Sequence, residues 1–420
     1  MPVARSGAAV SFLHTFPMKK IWKKVLVWAA VLLVLILAVV AFGAWRMFGT
    51  FIAAARSIHR LEDGLYVMEY RGDYGFDAFL TQGGAADDSA VVDYLTGFLS
   101  LGYCRKADNE IKPGDYGCST VCVKNKNGVV YFGRNFDWEK GRAIIVHTVP
   151  ENGYESLSTC DLDFLGFGDD YTPDGSMPER IQTLAAIYVP LDGMNEKGLV
   201  IADLMAGDKE ETHQKTDKPD LTTTTAIRLL LDRAANVDEA IELLKQHDMN
   251  SSIGAAHHFA IADKSGKSVV VEYVNGEMLV AETNVVTNHY LADSPKKGVG
   301  SEDSHARFDL LNNWIGPDFV LAGWHGRPDY KITIPPFQEV LTLLAPITQS
   351  QLRLHVRLKD SRTDGDNDVT LWSIVYAPGK QWADFYFLED FDHGHRMFLL
   401  PEINNKKNKF ISDTPVIFID

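Results

Sequence analysis

An uncharged apolar segment near the start of this 420-residue chain is its strongest structural constraint. Residues 25–45 contain no charged side chain, and nearly all of them are Val, Leu, Ile, Ala, Phe or Trp. At about 1.5 Å per residue, a helix of this length measures roughly 31 Å and matches a bilayer core of about 30 Å. The segment therefore predicts one membrane-spanning helix.

The charges around this segment predict its orientation. Four lysines lie between positions 19 and 24, and basic residues beside a span normally stay in the cytoplasm. Residues 1–24 are therefore expected in the cytoplasm, with the rest of the protein outside, and Met18 is an alternative start. A cleaved signal peptide, which Ala41-Phe42-Gly43-Ala44 favours, is the competing interpretation. Its apolar region normally spans only about 7 to 15 residues, so an uncleaved signal anchor is preferred.

Composition limits the partners and cofactors. Residues 1–46 hold six of the 41 Lys and Arg residues and none of the 56 Asp and Glu residues, so the rest of the chain is acidic. Such a surface does not bind nucleic acid or anionic lipid headgroups by bulk electrostatics. The four cysteines are too few for a disulfide framework and lack metal-ligand spacing, although a bridge between Cys104 and Cys160 stays open outside the cell.

The region directly after the anchor carries its own structural signals. Residues 46–117 combine a predicted strand at 65–68 with a predicted helix at 89–101, which Asp87-Asp88-Ser89 caps. About 370 residues follow the anchor in all, enough for a large hydrophobic core. Residues 46–117 are therefore expected to fold rather than to form a linker.

The later part of the chain predicts alternating helices and strands. Residues 221–247 predict two helices, with Asp238 as the N-cap of the second. Three strands follow, at 257–262, 268–273 and 277–282. Asn275-Gly276 predicts a type I′ hairpin turn between the last two strands. Strands, a helical pair and more strands suit two antiparallel sheets covered by helices.

Cys118 lies in a predicted hairpin together with two charged residues. Arg134 and Asp137 follow it by 16 and 19 positions, and β-branched and aromatic runs predict the two strands. Asn127-Gly128 between these runs predicts a type I′ turn. That turn places Cys118 opposite Asp137, so Arg134 needs a bulge or an early strand end to reach the same face.

The chemistry of Cys118 has two interpretations. A thiolate attacks a carbonyl only when a base takes its proton and fixed charges stabilise the developing oxyanion, so a cysteine beside an arginine and an aspartate is a candidate nucleophile. The alternative is a buried structural cysteine on a core hairpin, because free cysteine is among the most buried residue types.

Further motifs support the first interpretation. Residues 192–199 read D-G-M-N-E-K-G-L, and Thr287-Asn288, Ala306-Arg307-Phe308 and the run T-L-W-S at 370–373 follow in order. Together with the spacing around Cys118, these motifs resemble the choloylglycine hydrolase family of N-terminal-nucleophile amidases, relatives of bile salt hydrolase, penicillin V acylase and acid ceramidase. The resemblance runs from about Cys118 to the end of the chain.

The resemblance implies a fold, an activity and a set of site residues. The fold is α+β, an αββα sandwich, and the activity is hydrolysis of a linear, non-peptide C–N amide bond in a small molecule with an apolar acyl group. Cys118 would be the nucleophile, Arg134 and Asp137 its partners, Asn288 an oxyanion-hole residue, and Arg307 the last catalytic arginine. The resemblance implies no metal or organic cofactor.

The position of the nucleophile implies maturation. In bacterial bile salt hydrolases the cysteine follows the initiator methionine, whereas 117 residues precede Cys118. The mechanism needs a free α-amino group there, because an amine with a pKa of about 7.7 to 8.0 takes the thiol proton near neutral pH. The chain is expected to cut its own Gly117–Cys118 bond, leaving 46–117 as a pro-segment and 118–420 as the amidohydrolase domain. The acid ceramidase branch, which this layout resembles, keeps its pro-segment.

One departure from the family follows the D-G-M-N-E-K-G-L turn. Bile salt hydrolases continue with A-G-L-N, whereas this chain has Ala202-Asp203-Leu204-Met205, and methionine cannot donate a hydrogen bond. Lipid amides are therefore preferred over bile salts as substrates. The sequence predicts a membrane-anchored, extracytoplasmic cysteine amidohydrolase, with a catalytically silent, membrane-tethered binding protein of the same fold as the alternative.

Overall fold

The computed structural model describes residues 18–100, 117–124, 128–139, 141–168, 170–315, 368–388, 390, 393–399 and 411. The chain divides into two units, Met1–Thr50 and Phe51–Asp420. The α-helices are α1 (Met18–Ser57), α2 (Phe76–Thr81), α3 (Asp88–Ser100), α4 (Met177–Thr183), α5 (Thr223–Arg233), α6 (Val237–Lys245) and α7 (Glu302–Ile315). Short 3₁₀ helices are Leu162–Leu165 and Leu184–Tyr188.

The strands in chain order are β1 (His59–Glu62), β2 (Leu65–Arg71), β3 (Gly117–Lys124), β4 (Val130–Glu139), β5 (Ala143–Val149), β6 (Ser156–Asp161), β7 (Asp192–Asn195), β8 (Leu199–Met205) and β9 (Asp220–Thr222). They continue with β10 (Asp248–Asn250), β11 (His257–Asp263), β12 (Ser268–Val274), β13 (Glu277–Glu282), β14 (Val285–Val286), β15 (Asp368–Ala377), β16 (Trp382–Phe387) and β17 (His395–Phe398).

Helix α1 contains the apolar segment. Its stretch Trp22–Val40 is long and apolar enough to cross a membrane, and none of that stretch is buried inside the protein. Only the length and the composition of the helix indicate a membrane span, and a signal sequence near an N-terminus has the same length and composition. The helical conformation of 25–45 is confirmed, and its place in a membrane stays a prediction.

Two sheets form the body of the larger unit. The nine-stranded sheet has the order β1-β2-β5-β6-β7-β8-β11-β12-β13, in which the β2–β5 pair is parallel and the other neighbours are antiparallel. The six-stranded sheet has the antiparallel order β14-β3-β4-β15-β16-β17. Strands β9 and β10 form a separate parallel pair.

The two sheets pack against each other through one hydrophobic cluster. Ile145 and Ala202 of the nine-stranded sheet belong to it, as do Phe132 and Trp372 of the six-stranded sheet. All four side chains are almost completely buried. Apolar burial contributes about 25 cal/mol per Å², so this shared core is the main favourable contribution to the stability of the body.

Helices cover the outer faces of both sheets. Along β7, Met194 belongs to the shared core, whereas the next residue, Asn195, donates a hydrogen bond to the carbonyl of Leu231 in α5. Along β3, Val121 packs with Leu311 of α7, away from the shared core. Because alternate side chains of a strand point to opposite faces, each sheet has one face on the core and one on helices. The predicted α+β class is confirmed.

Much of the region before Cys118 is part of this body. Strand β2 lies inside the nine-stranded sheet, between β1 and the parallel strand β5. Leu65 and Val67 on β2 are fully buried members of the shared core. The predicted strand at 65–68 and the predicted helix at 89–101 are both confirmed, as β2 and α3.

The hairpin and helix predictions for the later part of the chain are mostly confirmed. Strands β11, β12 and β13 match the three predicted strands, and Asn275 (φ 53°) and Gly276 (φ 79°) have the left-handed conformations that a type I′ turn requires. Helices α5 and α6 match the predicted pair. The predicted N-cap of α6 is wrong: the side chain of Asn236, and not that of Asp238, accepts the hydrogen bond from the Glu239 N–H.

This capping arrangement makes a stability prediction. Asn236→Ala removes the side-chain oxygen that satisfies a free N–H of α6, and we expect it to lower the free energy of unfolding by about 1 kcal/mol. Asp238→Ala is the matched control, and we expect a clearly smaller loss because its carboxylate is exposed and pairs with Lys267 at the surface. Urea unfolding followed by circular dichroism measures both; a larger loss for Asp238→Ala would contradict the observed cap.

Candidate active site

The pairing of β3 with β4 decides which side chains surround Cys118. The paired positions include Gly117 with Asp137, Cys118 with Phe136, and Thr120 with Arg134. The predicted register, with Cys118 opposite Asp137, is therefore wrong by one residue. The cause is the connection: five residues, not two, separate the last paired positions, Lys124 and Val130. Asn127 of the predicted turn lies outside the described residues.

A shift of one residue exchanges the two faces of a strand. Arg134 consequently shares the face of Cys118 without a bulge between these two strands, contrary to the prediction. Asp137 reaches the site across Gly117, where a Cβ atom would lie only 2.8 Å from the Asp137 Oδ2 atom. A side chain at position 117 would therefore displace this carboxylate. Asp137 is also held by the Thr370 hydroxyl, which donates to its Oδ1 atom at 2.6 Å.

Two of the predicted site residues bind the main chain of Cys118. Cys118 itself is buried, with 3% of its surface exposed. The Cys118 N–H donates to the Asn288 Oδ1 atom at 2.7 Å, and the Cys118 carbonyl accepts from Arg307 Nη1. Arg307 Nη2 also donates to Asn288 Oδ1 at 3.0 Å, and its Nε donates to Asp303 Oδ2 at 2.8 Å. The three residues thus form one connected cluster around the Gly117–Cys118 peptide.

The orientation of the Asn288 amide follows from its neighbours. Two donors face Oδ1, and the main-chain carbonyl of Met205 accepts from Nδ2 at 2.9 Å. An amide carries two N–H donors on its nitrogen, so one donor remains after this bond. Met205 is the residue that departs from the family pattern. It binds Asn288 through its main-chain carbonyl, so this contact does not depend on the type of side chain at position 205.

Arg134 is a buried cation held by Asp192. It is 1% exposed, and its Nη1 donates to Asp192 Oδ2 at 2.8 Å and to the Leu191 carbonyl. Its Nε and Nη2 atoms have no hydrogen-bond partner among the described residues. Buried donors without a partner are costly, and they are found where a bound group completes the site. Arg134 therefore offers N–H groups on the face that carries Cys118.

Asp192 collects hydrogen bonds from both sheets. Its further donors are the Thr159 hydroxyl at 2.6 Å, Trp372 Nε1 at 3.0 Å and the Tyr376 hydroxyl. In the sequence, Asp192 is only the first residue of a turn motif, and no role was predicted for it. Its place in a buried strand could have indicated one, because a buried carboxylate normally has a charged partner.

Burial and charge act on the pKa values of Cys118 and Arg134. Burial raises the pKa of the Cys118 thiol, and the Arg134 guanidinium opposes that rise without cancelling it. Burial alone would lower the pKa of Arg134, but the Asp192 carboxylate and the other acidic groups around Arg134 together outweigh burial, and the net pKa is raised. In the uncut chain, the thiol is therefore protonated at neutral pH beside a permanent cation.

Glu272 and His258 bind main-chain groups on both sides of Asn288 in the sequence. Glu272 accepts from the main-chain N–H groups of Leu291 at 2.7 Å and Ala292 at 2.9 Å, and from His258 Nδ1 at 3.2 Å. His258 Nε2 in turn lies 2.9 Å from the Thr287 carbonyl. No sequence motif indicates a role for either His258 or Glu272.

A mostly apolar cavity of about 140 Å³ adjoins this cluster. Leu191, whose carbonyl binds Arg134, lies in its wall, and α3 contributes Val91, Val92, Leu95 and Leu99. The loop at Gly166–Gly168 contributes Phe167. Ligand sites are typically concave and mostly apolar, so this cavity is the candidate substrate pocket.

The Asp192 pair generates a stability prediction. Asp192→Asn leaves the Arg134 cation buried without its counter-charge, and we expect it to cost about 3 to 5 kcal/mol of folding stability. Asp163→Asn is the matched control, because the Arg142–Asp163 pair is solvent-exposed and such pairs contribute at most about 1 kcal/mol. Thermal or urea unfolding measures both variants; equal losses would mean that Arg134 does not depend on Asp192.

Comparison with known proteins gives a family match over part of the chain. Residues 118–291 match the family of linear amide C–N hydrolases described as the choloylglycine hydrolase family. A penicillin V acylase of Pectobacterium atrosepticum is 31% identical over 148 residues, which cover 33% of this chain and 38% of that protein. A bile salt hydrolase/transferase of Clostridium perfringens is 28% identical over 231 residues, 49% of this chain and 61% of that protein.

This chain thus spans less than two thirds of the length of these two relatives. Among solved structures, a conjugated bile acid hydrolase of Clostridium perfringens aligns with a TM-score of 0.40 and 16% identity, over 72% of this chain and 97% of that chain. A penicillin V acylase of Agrobacterium tumefaciens aligns with a TM-score of 0.39 and 17% identity, over 64% and 83%.

The sequence match confirms the resemblance that the motifs indicate. It begins at Cys118 and includes Arg134, Asp137, the turn at 192–199 and Asn288. Residues 118–291 of this chain are therefore similar to the choloylglycine hydrolase family of linear amide C–N hydrolases.

Proposed function

We propose that this chain is a cysteine amidohydrolase that cleaves linear, non-peptide amide bonds, with Cys118 as its nucleophile. One observation carries the proposal: the family match begins at Cys118, and Asn288 and Arg307 bind the main-chain nitrogen and oxygen of that residue. A structural core cysteine has no need for two buried polar side chains around its main chain. The same contacts are what a free N-terminal amine at Cys118 requires.

The proposed mechanism assigns each group a step. Once Gly117–Cys118 is cut, the Cys118 amine takes the proton of its own thiol, and Asp137 hydrogen-bonds the amine. The free N–H groups of Arg134 stabilise the thiolate. Attack on the acyl carbon gives a tetrahedral anion, which the second Nδ2 donor of Asn288 and nearby main-chain N–H groups stabilise. The amine leaves, and water hydrolyses the resulting thioester while Arg307 keeps Asn288 in place.

The state of the uncut site explains why amide hydrolysis requires a cut at Gly117–Cys118. The nitrogen of Cys118 is then an amide and cannot accept a proton, and burial raises the thiol pKa, so the uncut chain lacks a competent base. Cutting Gly117–Cys118 turns that amide into an amine with an ordinary pKa of about 7.7 to 8.0. The same event thus creates the N-terminus and the general base.

The pro-segment, residues 46–117, stays bound after the cut in this proposal. Strand β2 pairs along its whole length with β5, and α3 lines the candidate pocket. Removing β2 would expose a strand edge and the fully buried core residues beside it, Ala143 and Ile145. The domain of residues 118–420 is therefore completed by its pro-segment.

The N-terminal helix supports a membrane anchor. Its apolar stretch is long enough to span a bilayer, and the lysines before it favour a cytoplasmic N-terminus with the catalytic unit outside. The layered sheets and helices of the catalytic unit support the αββα sandwich of N-terminal-nucleophile hydrolases. The oligomeric state enters none of these arguments.

The substrate class is an N-acyl amide with an apolar acyl group. The named relatives are a penicillin V acylase and a bile salt hydrolase/transferase, and the apolar walls of the candidate pocket suit such a group. Lipid amides are preferred because the enzyme would work beside a membrane. Conjugated bile acids are the second choice.

The first functional prediction concerns the cut. N-terminal sequencing of the purified wild type should give a chain that begins at Cys118, and Cys118→Ala should remain uncut and inactive. A mass-spectrometric screen of N-acyl amides against both proteins measures turnover. Cys118→Ser keeps the shape of the side chain, but a hydroxyl group loses its proton far less readily than a thiol. Turnover by this variant should therefore fall by at least roughly 10².

Two outcomes would contradict the proposal. An active wild type with an intact Gly117–Cys118 bond would exclude the N-terminal amine as the base. An uncut wild type that hydrolyses no amide and does not react with thiol electrophiles would favour the silent binding protein.

The second functional prediction concerns the pro-segment. We expect the two fragments of the cut protein to co-elute in size-exclusion chromatography under native conditions and to separate in 6 M guanidinium, because β2 is integral to the sheet. Leu65→Asp places a charge in the shared core and should prevent this association. The exposed variant Glu242→Gln on α6 is the control. Native loss of the N-terminal fragment with full activity retained would overturn the prediction.

A further inference from the structure

The candidate pocket contains one buried pair of charged side chains within otherwise mostly apolar walls. Asp203 of β8 and His257 of β11 both line the pocket. Their side chains are 8% and 6% exposed. His257 Nδ1 lies 2.9 Å from Asp203 Oδ1 and 3.0 Å from Oδ2.

The hydrogen-bond partners of His257 determine its charge. Nδ1 faces the Asp203 carboxylate, and Nε2 lies 3.0 Å from the Ser252 carbonyl. Both partners are acceptors, so both ring nitrogens must carry a proton and His257 is an imidazolium. Burial lowers the pKa of His257, but the Asp203 carboxylate, the Ser252 carbonyl and Asp88 together outweigh burial, and the net pKa is raised, in agreement with the geometry. The imidazolium thus holds both carboxyl oxygens of Asp203 inside the pocket.

A second carboxylate adds negative charge to the same wall. Asp88, at the start of α3, accepts from the Ser252 hydroxyl at 2.8 Å and from the Ile253 N–H at 2.9 Å. It lines the pocket together with Asp203 and His257. Among the charged residues that line the described pocket, two carboxylates thus face one imidazolium. The cations of the site do not offset this excess, because Arg134 pairs with Asp192 and Arg307 pairs with Asp303.

Asp203 is also connected to the reaction site. Its own N–H donates to the Leu191 carbonyl at 2.8 Å, and the same carbonyl accepts from Arg134 Nη1. One oxygen atom thus joins the main chain of Asp203 to the guanidinium beside Cys118. Asp203 also stands at the glycine of the A-G-L-N run of bile salt hydrolases, so this carboxylate is a feature of this chain that the family pattern does not supply.

We propose that Asp203, held by His257, selects neutral N-acyl amides that carry a hydroxyl group and excludes amides that end in a carboxylate or sulfonate. The inference rests on the proposed amidase function and names its substrate class. A fixed carboxylate accepts a hydrogen bond from a hydroxyl group, whereas it repels a second anion in a poorly solvated pocket. Such repulsion against the wrong ligand is an effective source of specificity. Asp203 acts on selection and touches no reacting atom.

The test compares two amides with the same acyl chain. N-octanoylethanolamine ends in a hydroxyl group, and N-octanoylglycine ends in a carboxylate. We expect wild-type kcat/KM to favour the ethanolamide by about tenfold or more, and Asp203→Asn to reduce this ratio to about threefold or less, mainly through KM for the glycine amide. Asp203→Glu keeps the charge and should keep the preference. Asp238→Asn removes an exposed carboxylate elsewhere and is the control.

A binding experiment separates this inference from the proposed function. Calorimetry on the full-length Cys118→Ala protein measures the affinity for both amides without turnover, with and without Asp203→Asn. Tighter binding of the ethanolamide that Asp203→Asn abolishes supports the selection, even if the wild type hydrolyses neither amide and the amidase proposal fails. Equal affinity for both amides, a preference for the glycine amide, or a preference that Asp203→Asn leaves unchanged overturns the selection, whatever the turnover.

Discussion

The buried interaction between Arg134 and Asp192 joins the two sheets of the protein at the reaction site. Arg134 comes from β4 in the six-stranded sheet, and Asp192 comes from β7 in the nine-stranded sheet. Desolvating two charges is expensive, and the attraction offsets that cost only when further hydrogen bonds satisfy both groups. Asp192 meets this condition with three more donors, whereas two nitrogens of Arg134 keep unused N–H groups. The fold thus holds a cation in its core and leaves part of that cation available.

The environment of Cys118 is organised through its main chain as much as through its thiol. Asn288 and Arg307 come from segments about 170 and 190 residues away, and they bind the main-chain nitrogen and the main-chain oxygen of the same residue. Asn288 in turn depends on the Met205 carbonyl and on the Glu272–His258 pair behind its segment. These contacts fix the nitrogen of residue 118 before any bond is cut, which is the preorganisation that a general base at that atom needs.

Short sequence motifs predicted those turns and helices whose conformation depends on neighbouring residues. Asn275-Gly276 predicts a hairpin because both residues adopt the left-handed conformation that a type I′ turn requires, and Asp87-Asp88-Ser89 predicts the start of helix α3. The same kind of signal failed at Asn127-Gly128, where a longer connection shifts the register and puts Arg134, rather than Asp137, on the face of Cys118. Asp192, Glu272 and the Asp203–His257 pair were missed as functional partners because their partners are distant in sequence. The packing of the two sheets brings Asp192 to Arg134. Strand pairing within the nine-stranded sheet brings Asp203 and Glu272 to the two histidines of β11.

If the chain is cut at Gly117–Cys118 as proposed, the position of β2 inside the nine-stranded sheet changes the molecularity of folding. The uncut chain folds as one molecule, and its refolding is independent of concentration. The cut protein consists of two chains that share one sheet, so its refolding after denaturation requires a bimolecular encounter and slows on dilution. Unfolding in a dilute exterior environment would then be effectively irreversible, and the lifetime of the mature enzyme would be set by its unfolding rate.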